Sequence, residues 1–344
     1  MTPLETRRLG HGDVRVTTLG FGAAPIGNFK RAVTDEEART VVDAAWDAGI
    51  RLFDTAPLYG FGLSELRLGE ALRNRPREEF TVVTKVGRTL RPAAFDRPRA
   101  IDPADANWIE PAAFVPEFDY SYDGVMRSFE DSLQRLALGR VDVLLMHDLD
   151  VTTHGRAGFD VYFEQAMDGA WRALEQLRSE GLVGAIGLGV NDIEPCEEAL
   201  RRHDFDAFLL AGRYTLLEQG ALETFFPLCE ERGASVVVGG GYNSGILATG
   251  AVPGARYNYG PAPAWAMDRT RRIEKVCATF DVPLKAAALQ FVLAHPVVAA
   301  HAPGTRSLAQ LVENAELTAF PIPSDLWTEL KAHSLLGPDV PVPG

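Results

Sequence analysis

The sequence predicts an α/β protein of the (β/α)8, or TIM-barrel, class. Three observations predict it: eight short apolar runs rich in β-branched residues, a segment of helical period after each, and near-continuous hydrophobicity within the runs. Strands covered on both faces lose the polar alternation of a half-exposed sheet, as an all-parallel sheet sheathed by helices must. Eight such units close a barrel.

In chain order, residues 6–9 and 14–17 flank His11-Gly12-Asp13 and read as a hairpin ahead of the barrel, placed to plug its floor. Barrel strands are expected at 18–21, 51–55, 81–86, 142–146, 184–188, 207–210, 236–239 and 297–301. The first helix opens at Thr34-Asp35-Glu36-Glu37, a Thr-x-x-Glu capping box ahead of Val41, Val42, Ala45 and Trp46, and stops at Gly49. Further helices are expected at 63–72, 122–136, 170–180, 194–202, 221–232, 266–280 with 284–293, and 308–315. A last one, 324–333, lies beyond the eighth unit. Two connections, 87–120 after strand three and 240–265 after strand seven, are too long for turns and rich in Pro, Gly and aromatics, which marks them as substrate and cofactor walls. With no internal repeat, residues 1–344 read as one domain.

Composition narrows the partners. With 34 Lys and Arg against 47 Asp and Glu, the formal net charge is -13, which argues against nucleic-acid and anionic-membrane partners that need a basic footprint. No uncharged apolar run has the length of a bilayer span, and residues 1–12 hold Glu5, Arg7 and Arg8 rather than an apolar leader core. The cytoplasm is the expected compartment. Cys196, Cys229 and Cys277 stand far apart, without a CxxC pair or zinc-type His spacing, so neither disulfide nor metal is expected. A small-molecule substrate is the expected partner, handled by a monomer or small homo-oligomer.

Asp54, Lys85 and His147 stand at the C-terminal ends of successive candidate strands, where barrels of this kind build their sites. A charge inside an apolar strand is costly unless paired, so Asp54 and Lys85 are expected to satisfy each other. Taken singly, each residue has an ordinary structural use as a cap, an ion-pair partner or a satisfied core histidine. Together they point into one mouth.

The run Phe53-Asp54-Thr55-Ala56-Pro57-Leu58-Tyr59-Gly60, then Ser64-Glu65 and Leu68-Gly69, resembles the signature of the aldo-keto reductase family. Thr84-Lys85-Val86-Gly87 and Leu145-Met146-His147 resemble its next two motifs, and the likeness spans essentially the whole chain. It implies a catalytic tetrad of Asp54, Tyr59, Lys85 and His147. Hydride transfer between a nicotinamide and a carbonyl carbon needs a proton delivered or removed, and Tyr59 suits either direction. A free phenol titrates near pH ~10, so a neighbouring Lys85 is expected to lower that value, with Asp54 holding the lysine charged and His147 bonding the substrate oxygen.

Gly20-Phe21-Gly22 lacks the third glycine of a dinucleotide-binding turn in a Rossmann setting. The resemblance implies instead a nicotinamide cofactor lying extended across the mouth, with Gly22, Ala23, Asp54 and Asn191 near the nicotinamide. Gly239-Gly240-Gly241-Tyr242-Asn243-Ser244-Gly245 resembles the family's pyrophosphate loop, with Gly240, Gly241, Tyr242, Ser244 and Gly245 in contact. Gly304, Thr305, Arg306, Gln310 and Asn314 belong to a segment that resembles the adenosine site, where a helix N-terminus suits phosphate or ribose oxygens. Many NADPH-dependent relatives carry lysine and arginine at the positions of Gly304 and Gln310, so NAD is preferred here and NADP is possible, with Arg306 as a substitute grip. Gly189-Val190, Ala211 and Gly239 also depart from the Ser-Asn, glutamine and stacking aromatic of many relatives.

Phe118-Asp119-Tyr120-Ser121, His147-Asp148-Leu149-Asp150 and Ala211-Gly212-Arg213-Tyr214-Thr215 resemble the branch of the family that oxidises cyclic hemiacetals to lactones. The implied substrates are aldoses such as L-fucose, D-arabinose or L-galactose, or pyridoxal. Phe29, Trp108, Tyr120 and Asp148, with Tyr59 and His147, are the expected substrate wall. Two alternatives stand beside this reading: an NADPH-dependent reductase of aldehydes or ketones, and a non-catalytic cofactor-binding regulatory subunit, a role this fold also serves.

Overall fold

The computed structural model describes residues 4–93 and 107–344. Strands β1 (Thr6–Arg8) and β2 (Arg15–Thr17) pair antiparallel ahead of the barrel. The barrel strands are β3 (Phe21–Gly22), β4 (Leu52–Asp54) and β5 (Thr81–Val86), followed, after a hairpin of β6 (Arg88–Pro92) and β7 (Phe114–Phe118), by β8 (Val143–His147), β9 (Ala185–Val190), β10 (Ala207–Ala211) and β11 (Ser235–Gly239). A second small hairpin, β12 (Arg256–Tyr257) and β13 (Gly260–Pro261), precedes the last barrel strand, β14 (Val298–Ala302). The eight barrel strands run in the order β3-β4-β5-β8-β9-β10-β11-β14, every pair parallel. The ring closes through bridges from Leu19 to His301 and from Gly22 to Gly304, where the Gly20 N–H donates to the His301 carbonyl at 2.8 Å.

Alternation along each strand sorts the core into two shells. Leu52, Val83, Val143, Leu145, Ala185, Ala207, Leu209 and Val237 fill the barrel, while Phe53, Val82, Leu144, Ile186, Phe208 and Val236 pack outward beneath the helices. Leu9 and Val16 of the N-terminal hairpin join the inner cluster, so the hairpin does plug the floor. The same two-residue period carries the inner row upward to Asp54, Lys85, His147, Gly189 and Ala211 at the C-terminal mouth.

The helices are α1 (Asp35–Asp47), α2 (Leu63–Leu72), α3 (Tyr122–Leu136), α4 (Val151–Gln165), α5 (Trp171–Ser179), α6 (Glu194–Arg202), α7 (Phe225–Arg232), α8 (Ile246–Thr249), α9 (Ala264–Thr279), α10 (Leu284–Leu293), α11 (Leu308–Thr318) and α12 (Ser324–Ala332). In α1 the expected capping box is formed, the Thr34 hydroxyl accepting from the Glu37 N–H and the Glu37 carboxylate from the Thr34 N–H. Helix α3 buries Val125, Phe129 and Leu136, each contributing about 1.5–3 kcal/mol of apolar burial.

Four expectations are corrected. The stretch before residue 170 is helical: α4 runs into a π-turn (Ala166–Ala170) and on into α5. Its start combines β-branched Val151-Thr152-Thr153 with Gly155 at φ 64°, which hides a helix from local propensity, while Phe159, Phe163 and Met167 supply the buried face. The first barrel strand is shifted, its ladder to β4 formed by Phe21 and Gly22. The long connections carry their own hairpins, β6–β7 and β12–β13, although positions 94–106 of the first lie outside the described residues. Residues 221–232 divide into a short 3-10 turn (Gly220–Leu222) and α7. No single helix among the described residues is long and apolar enough to cross a membrane.

Candidate active site

Strand geometry brings three of the four expected residues to one rim, and the loop after β4 adds the fourth. Lys85, only 1 % exposed, donates from Nζ to Asp54 Oδ1 at 2.6 Å and to the Thr55 carbonyl at 2.8 Å. Gly189 leaves room for it, since a Cβ there would stand 3.2 Å from Lys85 Cε. An ammonium has three N–H donors, so one remains for the mouth. Lys85 Nζ lies 4.8 Å above the Tyr59 ring centroid, and the Tyr59 and His147 rings meet edge-on at 5.7 Å. The tetrad is one cluster.

The turn that carries Tyr59 is tied down from beneath. Ser64 donates to the Ala23 carbonyl and shares a 2.9 Å bond with the Thr55 hydroxyl, while buried Glu65 accepts from Thr84 and Arg135 at 2.6 Å each. The Ser64-Glu65 pair of the sequence motif is therefore bracing that joins α2 to β5 and α3.

Burial sets the protonation states. It pushes the Asp54 carboxyl up against the opposing pull of Lys85. Burial and the nearby Lys85 and Arg88 charges hold His147 well below the usual imidazole range, so the ring is neutral at physiological pH. Tyr59 overturns an expectation: burial, then the charges of Asp54 and Asp148, hold its phenol well above the ordinary value. Lys85 faces Asp54, Thr55 and the ring, and the predicted lowering of the phenol does not occur.

Tyr59, Lys85 and His147 line a cavity of ≈ 360 Å³, with Asp54 just beneath it. One wall is aromatic: Trp108 stacks on Tyr59 at 5.5 Å and 29°, Phe29 packs on Trp108 at 5.1 Å, and Tyr259 meets Phe29 edge-on at 6.3 Å. The other is polar, with Arg88, Asp148, Thr152, Thr153 and Asn191. Of the expected substrate wall, Phe29, Trp108 and Asp148 line the cavity. Tyr120 does not: it is fully buried behind His147, donating from its hydroxyl to the His147 carbonyl at 2.6 Å. Its expected wall position is corrected to a support beneath the histidine.

Several cavity residues were not singled out from the sequence. Arg88 directly follows the Thr84–Gly87 motif, a usable signal, whereas Thr152 and Thr153 belong to the unforeseen α4. Tyr259 sits at the tip of the β12–β13 hairpin beside Asn258, both with positive φ, and its N–H donates to Ser244 Oγ at 2.8 Å.

The expected cofactor residues form a strip along the edge of the mouth. The Gly22 and Thr305 segments exchange backbone bonds, Ala23 donates to the Asp54 carbonyl, and Tyr242 donates to Asn314 Oδ1 at 2.9 Å. Gly240 and Gly245 have φ of 60° and 108°, with Ser244 at 58° between them, so the loop needs its glycines to turn. A Cβ at Gly241 would stand 2.4 Å from His301 Nε2. Gln310 caps the Arg306 N–H at 3.1 Å and is itself exposed, and Asn191 lies in the cavity wall, bonded to Asp150.

Cations gather at this edge. Lys30 reaches over the Phe29 and Tyr259 rings, Arg256 donates to the Tyr259 carbonyl at 2.8 Å, and neither they nor Arg306 pair with an acid among the described residues. Burial and the like charges of Arg256 and Arg306 pull the Lys30 ammonium below its ordinary value; burial and Arg31 do the same to Arg306. In a chain of net charge -13 these unpaired cations fit phosphates. No cluster of metal-ligating side chains occurs among the described residues.

A parallel eight-stranded barrel carries this cluster at its C-terminal mouth, and the chain belongs to the aldo/keto reductase family, whose model matches residues 18–335. It is an NAD(P)-dependent oxidoreductase. It is 41 % identical to pyridoxal 4-dehydrogenase of Microbacterium luteolum over 96 % of this chain and 98 % of that one. It is 43 % identical to D-threo-aldose 1-dehydrogenase of a Pseudomonas species, over 93 % and 95 %. Among solved structures it resembles the holo form of an aldo-keto reductase from Bacillus halodurans, with a TM-score of 0.74 at 27 % identity, covering 98 % of each chain.

Proposed function

We propose that the protein oxidises a cyclic hemiacetal, an aldose or pyridoxal, to the corresponding lactone with NAD⁺ as the preferred acceptor and NADP⁺ as an accepted one. The observation that carries this reading is the cavity itself, where Tyr59, Lys85 and His147 share one face of a pocket walled by aromatic residues on one side and polar residues on the other. The names of the two relatives support the choice of substrate.

When bound, the nicotinamide supplies the hydride acceptor. The glycine loop after β11, the Gly304–Arg306 segment and the cations Lys30, Arg256 and Arg306 would hold its phosphates. His147, neutral, donates from its Nε2–H, the ring nitrogen nearer Asp148, to the hemiacetal oxygen. Because burial holds the Tyr59 phenol protonated, it first gives its own proton to solvent, and the resulting phenolate, stabilised by the remaining N–H of Lys85, is the species that acts as base. As hydride leaves the anomeric carbon, the hydroxyl proton passes to the Tyr59 phenolate, which becomes the phenol, and the C–O bond becomes the lactone carbonyl.

The gap at Gly304 and Gln310 supports NAD, while Arg306 and Arg31 supply the charge for accepting NADP. The reaction is proposed to take place in the cytoplasm, in a monomer or small homo-oligomer. The test is turnover of L-fucose, D-arabinose, L-galactose and pyridoxal with NAD⁺ and NADP⁺, set against simple aldehydes with NADPH. Oxidation of at least one hemiacetal with reduced cofactor appearing in step is expected; turnover only in the NADPH-driven direction would overturn the proposed direction.

A further inference from the structure

Asp148 follows His147 directly, in the left-handed region at φ 51°, a backbone strain that aspartate tolerates better than most residues. Its N–H donates to the Gly189 carbonyl at 2.9 Å, which turns the chain so that the carboxylate faces the cavity. Oδ2 accepts from Arg88 Nη2 at 2.7 Å, and the Arg88 guanidinium rests on the Phe118 ring at 4.0 Å. Oδ1 has only distant partners: His147 Nε2 at 3.6 Å and Asn191 Nδ2 at 3.4 Å. A carboxylate offers about four acceptor positions, so this anchored group keeps acceptor capacity toward the cavity.

We propose that Asp148, held by Arg88, is a specificity-determining residue that reads the hydroxyl on the carbon next to the reacting one, so that the preferred substrate is a polyhydroxylated aldose and not pyridoxal. This rests on the hemiacetal reading above. His147 holds the reacting oxygen, and Asp148 Oδ1 stands 3.6 Å from its Nε2, the spacing at which two groups meet oxygens on adjacent carbons. Apart from its reacting hydroxyl and its hydrogen, the anomeric carbon has two neighbours, the ring oxygen and C2. An ionised carboxylate only accepts, so it suits the C2 hydroxyl and not the ring oxygen. Trp108 and Phe29, which pack on each other in the same cavity lining, offer an apolar surface for the C–H face of a sugar. In the hemiacetal of pyridoxal the neighbouring carbon belongs to the aromatic ring and carries no hydroxyl.

The experiment compares kcat/KM for D-arabinose and its 2-deoxy counterpart, 2-deoxy-D-ribose, in the wild type, Asp148→Asn and Arg88→Gln. A site built to bond a hydroxyl discriminates against its absence, and the wild type is expected to favour the hydroxylated sugar by at least about tenfold. In Asp148→Asn that ratio falls to about threefold or less, and in Arg88→Gln it falls part of the way; asparagine also tolerates the left-handed backbone, and cofactor titration checks the fold. Equal turnover of both sugars by the wild type, or an unchanged ratio in both variants, overturns the proposal. Oxidation of pyridoxal but of no aldose keeps the hemiacetal reading and overturns this one, whereas no oxidation of any hemiacetal overturns both.

Discussion

At the scale of single residues, the chemistry follows from which groups are buried with a partner. Lys85 and Asp54 neutralise each other beneath the mouth, His147 is held uncharged, and Tyr59 is held protonated. Replacing Tyr59 with Phe is expected to lower turnover by about 10²–10⁴-fold, the range of a lost acid/base group, with cofactor affinity by fluorescence titration little changed. The pH dependence has a definite sign. A phenol raised above its ordinary value of about 10 stays protonated as pH rises, so oxidation should keep climbing without a plateau below that value. A depressed His147 should contribute no fall in rate near its ordinary value of about 6.5. A plateau near neutrality in a pH–rate profile would contradict this. Asp54, Lys85 and His147 were legible because charged or titratable groups at apolar strand ends are rare. Arg88 adjoined a readable motif but takes its role from Asp148 across the fold, and the supporting place of Tyr120 was not legible, because it depends on contact with the His147 carbonyl.

At the scale of elements, strand period and helix capping were readable, and function-bearing connections were only partly so. Helices α2, α3, α6 and α10 and strand β5 lie where local pattern places them. Helix α4 was hidden because its first residues are poor helix formers and its stability comes from Phe159 and Phe163 packing. The loop after β11 shows why glycine pattern carries information: Gly241 lies against the His301 imidazole, which is fully buried beside the Leu289 backbone. Gly241→Ala must push that loop away from β14, an overpacking cost of about 1–3 kcal/mol. It is expected to weaken cofactor binding by roughly tenfold, with the far-ultraviolet circular dichroism spectrum preserved. Unaltered cofactor affinity would mean the loop does not touch the cofactor.

At the scale of the whole molecule, a strongly acidic chain reserves a patch of unpaired cations for one edge of its mouth. Opposite charge concentrated against a like-charged background attracts an anionic ligand and is screened by salt. Cofactor affinity should therefore fall as ionic strength rises, and Arg306→Gln should weaken NADP⁺ more than NAD⁺. Equal losses for both in parallel titrations would remove Arg306 from the 2′-phosphate. The barrel explains how one mouth holds both partners: strands of period two place the chemistry on the inner rim, and hairpins after the third and seventh barrel strands build walls across it.

The central claim is direct hydride transfer from the anomeric carbon of a cyclic hemiacetal, with Tyr59 taking the proton. The most direct measurement is turnover of an aldose deuterated at C1 with the oxidised cofactor, followed by mass spectrometry of both products. Deuterium recovered in the reduced nicotinamide, together with the sugar lactone, in the wild type but not in Tyr59→Phe, is the predicted result. Reduced cofactor without deuterium, or a product other than the lactone, would contradict it.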